Sequence, residues 1–349
     1  MAKVVMEGNI AVSEAAIRAG CRFYAGYPIT PQTSITEHLS SRMEEAGGVF
    51  IQAESELAAI NMIAGASAGG MRVMTATAGP GFSLMAEGMS YLSAIRLPAV
   101  IVDVERTGPG GATIRPSQSD YNYATKSIGH GGHRAFVVGP CSVQESADWV
   151  YRGFDISDEY RCPFILLSDG MIGQMMEPVE LPEPKTDITK RDYIADGCEG
   201  REFRDVKDFM RDLPALERDY KSRAADYEYW AEHMAEYESY MMDDAEYVIA
   251  AWGSSARISK GSIDTLRAEG YKVGLIRPIT LHPFPSKPFK ALSPEKIKFV
   301  LTVEMTDPKQ FFYDVDYALR DDMTNYSFTR SGGNIITPDD VTEAFKAHL

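Results

Sequence analysis

The chain has 349 residues, 44% of them hydrophobic and 24% charged, a composition that folds and that suffices for two or three domains. Its formal charge of −15 argues against a non-specific nucleic-acid binder, which needs a basic surface to neutralise phosphates, and gives no reason to expect attachment to an anionic membrane. No apolar run approaches the roughly 20 residues that span a bilayer. The N-terminal segment Met1-Ala2-Lys3-Val4-Val5-Met6-Glu7 lacks the apolar core of a signal peptide, so a cytoplasmic protein is expected.

Residues 1–180 alternate apolar runs with helical patterns, as an α/β domain with a mostly parallel sheet does. Ala11 to Ala19 reads as a helix and Cys21–Ala25 as a short strand. The string Ala25-Gly26-Tyr27-Pro28-Ile29-Thr30-Pro31-Gln32-Thr33 then forms a strand-to-helix corner before the periodic Ile35, Leu39 and Met43. Pro31 fits the first helical position and Thr30 the N-cap, with its hydroxyl beside the free N–H groups of the first turn. Such a corner suits an anion.

Val49-Phe50-Ile51-Gln52 is the next strand, and Glu54-Ser55-Glu56 opens a helix rich in small residues. Val73–Thr77 is a strand ending at Ala78-Gly79-Pro80-Gly81-Phe82, and Leu84, Met85, Met89 and Leu92 mark one more helix. Val100–Val104 is nearly continuous in apolar residues, as a strand covered on both faces is. It empties into Glu105-Arg106-Thr107-Gly108-Pro109-Gly110-Gly111. Phe136–Val138 reads as a strand, Ser142-Val143-Gln144-Glu145 as a capping box for a helix to about Glu159, and Pro163–Leu167 as the last strand of the domain.

From Glu177 to about Pro214 the pattern breaks into prolines and charges. Leu216, Tyr220, Ala224, Tyr227, Ala231, Met234, Tyr237 and Met241 recur at spacings of three and four, which predicts one long amphipathic helix. A second α/β unit begins near Glu246, with strands Tyr247–Ala251, Val273–Ile276 and Phe299–Val303, a turn at Gly253-Ser254-Ser255, and a final helix capped by Thr337-Pro338-Asp339-Asp340.

The four cysteines, Cys21, Cys141, Cys162 and Cys198, form no Cys-x-x-Cys pair, so neither an iron–sulfur cluster nor a structural zinc site is expected on this chain. His130 and His133 stand in a glycine-rich loop without a third ligand at useful spacing, and a hydrogen-bonding role suits them better than a metal. His282 reads as a packing residue. The serines lack a nucleophile-elbow pattern. Gly79-Pro80-Gly81 is neither a Walker motif nor a dinucleotide fingerprint; its content is a tight turn where backbone can approach a flat ligand. Glu54 and Glu56 suit a helix start on electrostatic grounds alone. Arg106 follows a buried-looking strand at the carboxyl edge of the sheet, where open α/β folds bind ligands. It can clamp a carboxylate through two parallel hydrogen bonds, or pair locally with Glu105 or Asp103.

Four strings occur in order: Gly26-Tyr27-Pro28-Ile29-Thr30-Pro31, Gln52-Ala53-Glu54-Ser55-Glu56, Thr75-Ala76-Thr77-Ala78-Gly79-Pro80-Gly81 and Arg106-Thr107-Gly108-Pro109. Together they resemble the alpha chain of the 2-oxoacid:ferredoxin oxidoreductases. Pro116-Ser117-Gln118-Ser119-Asp120 and Gly173-Gln174-Met175-Met176-Glu177-Pro178 are most similar to the branched-chain (2-oxoisovalerate) branch, with the 2-oxoglutarate branch next.

The resemblance implies an α/β chain with a pyrimidine-type thiamine-diphosphate-binding domain over residues 1–180, a connector over 181–245 and a transketolase-C-terminal-like domain over 246–349. It implies oxidative decarboxylation of a 2-oxoacid with coenzyme A and ferredoxin. Glu56 is then the partner of the cofactor's pyrimidine N1′, Thr30 and Arg106 are 2-oxoacid contacts, and Tyr27, Pro28, Ile29, Gly79 and Gly81 border the cofactor. The diphosphate-binding Gly-Asp-Gly motif is not found; Ser168-Asp169-Gly170 is a partial look-alike. Magnesium would therefore lie on a beta subunit, and [4Fe-4S] clusters on further gamma and ferredoxin-like subunits. A non-redox thiamine decarboxylase half and a catalytically silent scaffold are the rival readings.

Overall fold

The structure, a computed structural model, describes residues 3–126, 128–186, 188, 191–206 and 212–349. Met1 and Ala2 of the N-terminal segment, and residues 187, 189, 190 and 207–211 of the expected connector, lie outside the described residues.

The larger sheet has seven strands in the spatial order Thr280–His282, Phe136–Val138, Pro163–Asp169, Ala99–Glu105, Arg72–Thr77, Cys21–Gly26, Val49–Gln52. From Phe136–Val138 onward every neighbouring pair is parallel. Successive side chains on a strand point to opposite faces, and here both faces are covered. Val73, Ile101 and Ile165 pack with Ile60, Ile63, Met89 and Leu92 on one side. Met74, Val100, Val102 and Phe164 pack with Ile35, Leu39, Val150 and Phe154 on the other. This is why Val100–Val104 is apolar without alternation.

The second sheet runs Asn325–Thr329, Val300–Glu304, Tyr247–Ala251, Val273–Pro278, Tyr237–Tyr240, parallel except for the last strand. One face of this sheet packs Ile249, Leu275 and Leu301 against Ile263, Leu266, Val341 and Phe345. Its other face shares a core with the first sheet: Val248, Ala250, Ile276 and Val300 join Ile101 and Val137. The sheets also exchange a strand, since Thr280–His282 leaves the second unit to pair antiparallel with Phe136–Val138. A short ribbon, Val4–Glu7 against Met176–Val179, completes the set.

Several local expectations are corrected. The long amphipathic helix spans Leu213–His233 and buries only Trp230. Tyr237 and Met241, expected on it, lie beyond it, and Tyr237–Tyr240 pairs with Val273–Pro278 as an edge strand. Glu238 fixes that pairing through ion pairs to Arg277 and Lys260, so tertiary partners override helical spacing. Gly253-Ser254-Ser255 is the first turn of helix Gly253–Ala268, and Gly253 itself takes φ +54°, which a side chain would oppose. The helix expected from Leu84 to Leu92 is two, Pro80–Leu84 and Ala86–Ala94. Ser142 does cap the helix Val143–Tyr160, accepting the Glu145 N–H. The Glu145 carboxylate, however, takes the Cys141 N–H and Arg277 instead of completing a capping box. Thr337 and Asp340 do form one.

Candidate active site

Parallel strands place their carboxyl ends on one edge of the sheet, and the loops there begin with peptide groups that no strand neighbour has used. Cys21–Gly26, Val49–Gln52, Arg72–Thr77, Ala99–Glu105 and Pro163–Asp169 end together on that edge. Each is followed by one of the strings singled out above.

The Thr30 loop departs from expectation. Helix Thr33–Glu45 starts two residues later than Pro31, with Gln32 as N-cap and no side-chain cap. The Gln32 N–H is spent on the Ile29 carbonyl at 3.0 Å, which closes a turn ahead of the helix. Gln32 Nε2 donates to the Tyr27 carbonyl at 2.9 Å, and Asn9 Nδ2 to the Pro31 carbonyl at 2.9 Å. Thr30 thus offers its carbonyl, which accepts Arg106 Nη1 at 2.9 Å. Tyr27 is exposed, and Pro28 and Ile29 are half-buried.

Ser55 is the N-cap of helix Glu56–Ala68 and accepts the Ala58 N–H at 3.2 Å. Capping by Ser55 turns the first-turn Glu56 inward, where it is 4% exposed, while Glu54 faces solvent. No hydrogen bond joins the Glu56 carboxyl to another described residue. A Cβ built on Gly81 would overlap Glu56 Oε1 and Thr77 Oγ1, so the backbone after Gly79 comes as close to the carboxyl as glycine allows. Thr77 Oγ1 is itself buried without a partner. Gly79 takes φ +41° and stands beside Arg106, whose Cγ would lie 3.8 Å from a Cβ there.

Arg106 makes no ion pair with Glu105 or Asp103 among the described residues; besides its bond to Thr30, its Nε is buried and unbonded. It borders a cleft of about 320 Å³ together with Gly79, Pro80, Pro109, Asp120 and Gln310. Behind it lie three carboxyl groups. Asp103 and Glu105 are 0% exposed. Burial pushes Asp103 well above the usual carboxylate range, and the Asp120 charge adds to this. Glu105 rises for the same two reasons, and its Oε1 accepts the Asp120 N–H at 2.7 Å. Burial lifts Asp120 to about 6 although Asp103 and Arg106 pull it down. The sequence reading left Asp103 and Glu105 as local partners for Arg106. Two acids at alternate positions of an otherwise apolar strand were the available signal, because such positions share a buried face.

Asp169 is not free for a ligand. Its Oδ1 caps helix Gly170–Gln174, accepting the Met171 and Ile172 N–H groups at 2.8 and 3.2 Å, and Ser254 Oγ holds Oδ2. Next to it, Pro116–Asp120 forms a strap between the two sheets. Gln118 Nε2 donates to the Trp252 carbonyl at 3.0 Å, and its Oε1 accepts Ser255 Oγ at 2.6 Å and the Met305 N–H at 3.0 Å. His130 and His133 lie elsewhere: the backbone N–H of His130 donates to Ser90 Oγ at 2.8 Å, and the His133 ring is buried beside the Ile128 backbone. His282 packs as expected, with Nδ1 on the Ala135 carbonyl at 2.9 Å.

Two family models match the chain. One describes the pyruvate flavodoxin/ferredoxin oxidoreductase, thiamine-diphosphate-binding family and covers residues 14–252. The other describes core domain II of pyruvate:ferredoxin oxidoreductase and covers 245–341. The ketoisovalerate oxidoreductase subunit VorB of Methanothermobacter thermautotrophicus is 43% identical over 99% of this chain and 98% of its own. The 2-oxoglutarate synthase subunit KorA of Methanothermobacter marburgensis is 34% identical over 96% of each. Among solved structures, the 2-oxoglutarate:ferredoxin oxidoreductase from Magnetococcus marinus with 2-oxoglutarate, coenzyme A and succinyl-CoA bound superposes with a TM-score of 0.87 at 25% identity. That match covers 99% of this chain and 65% of that one.

Proposed function

Because this chain belongs to the thiamine-diphosphate-dependent 2-oxoacid:ferredoxin oxidoreductases, we propose that it is the alpha-type subunit of a branched-chain enzyme that converts 2-oxoisovalerate and coenzyme A to the acyl-coenzyme A, carbon dioxide and reduced ferredoxin. The observation that carries the reading is Glu56: a buried carboxyl with no partner among the described residues, faced by Gly81 at the carboxyl edge of a parallel sheet.

Those features fit the pyrimidine half of thiamine diphosphate. When bound, that cofactor supplies the carbon nucleophile and the electron sink that a 2-oxoacid needs in order to lose carbon dioxide. Glu56 would hold a proton at the pyrimidine N1′. Gly79 and Gly81 would let backbone lie close to the ring, with Tyr27, Pro28 and Ile29 along its border. Arg106, backed by the Thr30 carbonyl, would bind the carboxylate common to every 2-oxoacid. The diphosphate and its magnesium are placed off this chain in this reading; it is supported by Asp169 of the partial look-alike Ser168-Asp169-Gly170, which already accepts two N–H groups and the Ser254 hydroxyl.

The names of the relatives indicate a multi-subunit oxidoreductase. We assign magnesium to a beta subunit, and [4Fe-4S] clusters to gamma and ferredoxin-like subunits. Cys21, Cys141 and Cys162 are buried free thiols, which suits a reducing cytoplasm. The runner-up substrate is 2-oxoglutarate, supported by the KorA relative. Ferredoxin reduction by the purified complex with 2-oxoisovalerate, pyruvate and 2-oxoglutarate in turn tests the assignment. A kcat/KM highest for 2-oxoglutarate would overturn the branched-chain reading, and a complex without iron would overturn the redox reading in favour of a simple decarboxylase.

A further inference from the structure

Asp103 is fully buried on the strand Ala99–Glu105; the Gly79 N–H faces its carboxyl, but no hydrogen bond of good geometry from a described residue reaches either oxygen. Its neighbour across the loop is Asp120, carboxyl against carboxyl, with Asp120 Oδ2 also lacking a donor. Arg106, whose Nε is likewise buried and unbonded, is the cation that faces this pair. Glu105 and Tyr123 are the other titratable groups facing it, and Asp169 faces Glu105 from the next strand.

We propose that Asp103 and Asp120 hold one proton between them behind Arg106, and that this pair is a positioning device that sets the charge the guanidinium presents to a 2-oxoacid carboxylate. The proposal rests on the assignment of Arg106 to the substrate carboxylate made above.

Two carboxylates in contact cannot both stay ionised in a buried site, because like charges at that distance favour protonation of one of them. Two neutral carboxyls would leave the guanidinium without a counter-charge in the same site. One proton resolves both conflicts. The O–H of one group donates to the other, beside the weaker contact of the Gly79 N–H with Asp103, and the remaining negative charge faces Arg106. Burial and the Asp120 charge both raise Asp103, which makes it the holder of the proton. Asp120 is lifted only to about 6, so it carries the charge near neutrality. An arriving substrate carboxylate adds negative charge beside Asp120 and raises its proton affinity. The pair then takes a second proton from solvent, and Arg106 is released from Asp120 to the substrate.

The test is titration of oxamate, an unreactive 2-oxoacid isostere, into the assembled complex near pH 6.5, in two buffers of different ionisation enthalpy. The expected result is uptake of a fraction of a proton per oxamate bound, and an affinity that falls as pH rises from about 5 to 8. Asp120→Asn removes the group that takes the second proton, so uptake disappears and the pH profile flattens, whereas Asp103→Asn mimics the protonated partner and retains both the uptake and the pH dependence. A merely structural Asp120 would weaken binding equally at every pH. The oxamate-free complex is also examined by infrared spectroscopy, where the protonated-carboxyl band should lose one group's intensity in Asp103→Asn. Proton uptake retained by Asp103→Asn shows that this variant folds and binds, which keeps its infrared comparison with the parent interpretable. Binding without proton uptake, or an unchanged infrared band, overturns the proposal. Undiminished oxamate binding by Arg106→Ala would instead overturn the role of Arg106, while the infrared band still decides whether the pair shares a proton.

Discussion

Gly81 lies against Glu56 so closely that a Cβ on the glycine would overlap the Glu56 Oε1 and the buried Thr77 Oγ1. The two residues come from the first turns of two helices, Glu56–Ala68 and Pro80–Leu84, and their contact brings the Gly79-Pro80-Gly81 turn over the helix start that carries the carboxyl. Gly81→Ala should therefore displace Glu56. Overpacking of this kind costs about 1–3 kcal/mol, and denaturant unfolding should read a loss in that range together with weakened binding of thiamine diphosphate by the complex. Stability and cofactor affinity equal to the parent's would mean that the contact is dispensable.

Glu56→Gln keeps the size of the side chain and removes its capacity to hold a proton. Turnover should fall by roughly 10²–10⁴-fold, as for loss of an acid–base group, with the folded state intact. Deuterium exchange at the cofactor's C2 position in the assembled complex is the decisive measurement, and Glu54→Gln, at an exposed position, is the control. Normal exchange in the Glu56 variant with slowed exchange in the Glu54 variant would reverse the assignment.

Arg106→Lys keeps the charge but loses the planar fork and, with it, the bond from Nη1 to the Thr30 carbonyl. A charge-assisted hydrogen bond is worth about 1.5–3 kcal/mol, so kcat/KM should drop roughly ten- to a hundredfold. The loss should be similar for 2-oxoisovalerate, pyruvate and 2-oxoglutarate, because all three share the carboxylate. A loss confined to 2-oxoglutarate would place Arg106 at a distal carboxylate.

Gln118 is fully buried and satisfies Trp252, Ser255 and Met305 at once. Gln118→Leu would strand those groups, and each buried polar group left unpaired costs about 1–3 kcal/mol. Thermal unfolding should show a lower Tm and, where the two sheets separate before melting, a second transition. A Tm within experimental error of the parent's would show that the strap does not couple the sheets.

Burial holds the His282 ring neutral, pushing its pKa from the ordinary 6.5 to about 4, against the Ala135 carbonyl bond that pulls the other way. An unfolded chain takes up a proton near 6.5, whereas the folded one does so only near 4. The stabilisation is therefore complete above pH 6.5 and is lost as pH falls toward 4. Its size is about 3 kcal/mol. His282→Gln, which retains a donor for Ala135, should flatten the decline of Tm between those pH values. An unaltered slope would assign the acid sensitivity to other groups.

Local chemistry was legible in the sequence. Glycine at a tight turn, serine before a helix, and unbroken apolar runs in strands covered on both faces each follow from the residues themselves. The four ordered strings were enough to point to the family, because each must occupy the carboxyl end of a parallel strand. What the sequence could not decide was pairing over long distances. Tyr237–Tyr240 has spacing that suits a helix, and only the partners of Glu238 make it a strand. Thr30 suits an N-cap, and only the turn closed by the Gln32 N–H moves the helix start to Thr33. Thr280–His282 belongs by sequence to the second unit and by hydrogen bonding to the first sheet. The Asp103, Glu105 and Asp120 cluster was hidden for the same reason: a carboxyl's ionisation depends on its neighbours in space and on excluded water, and neither is a property of the chain in order.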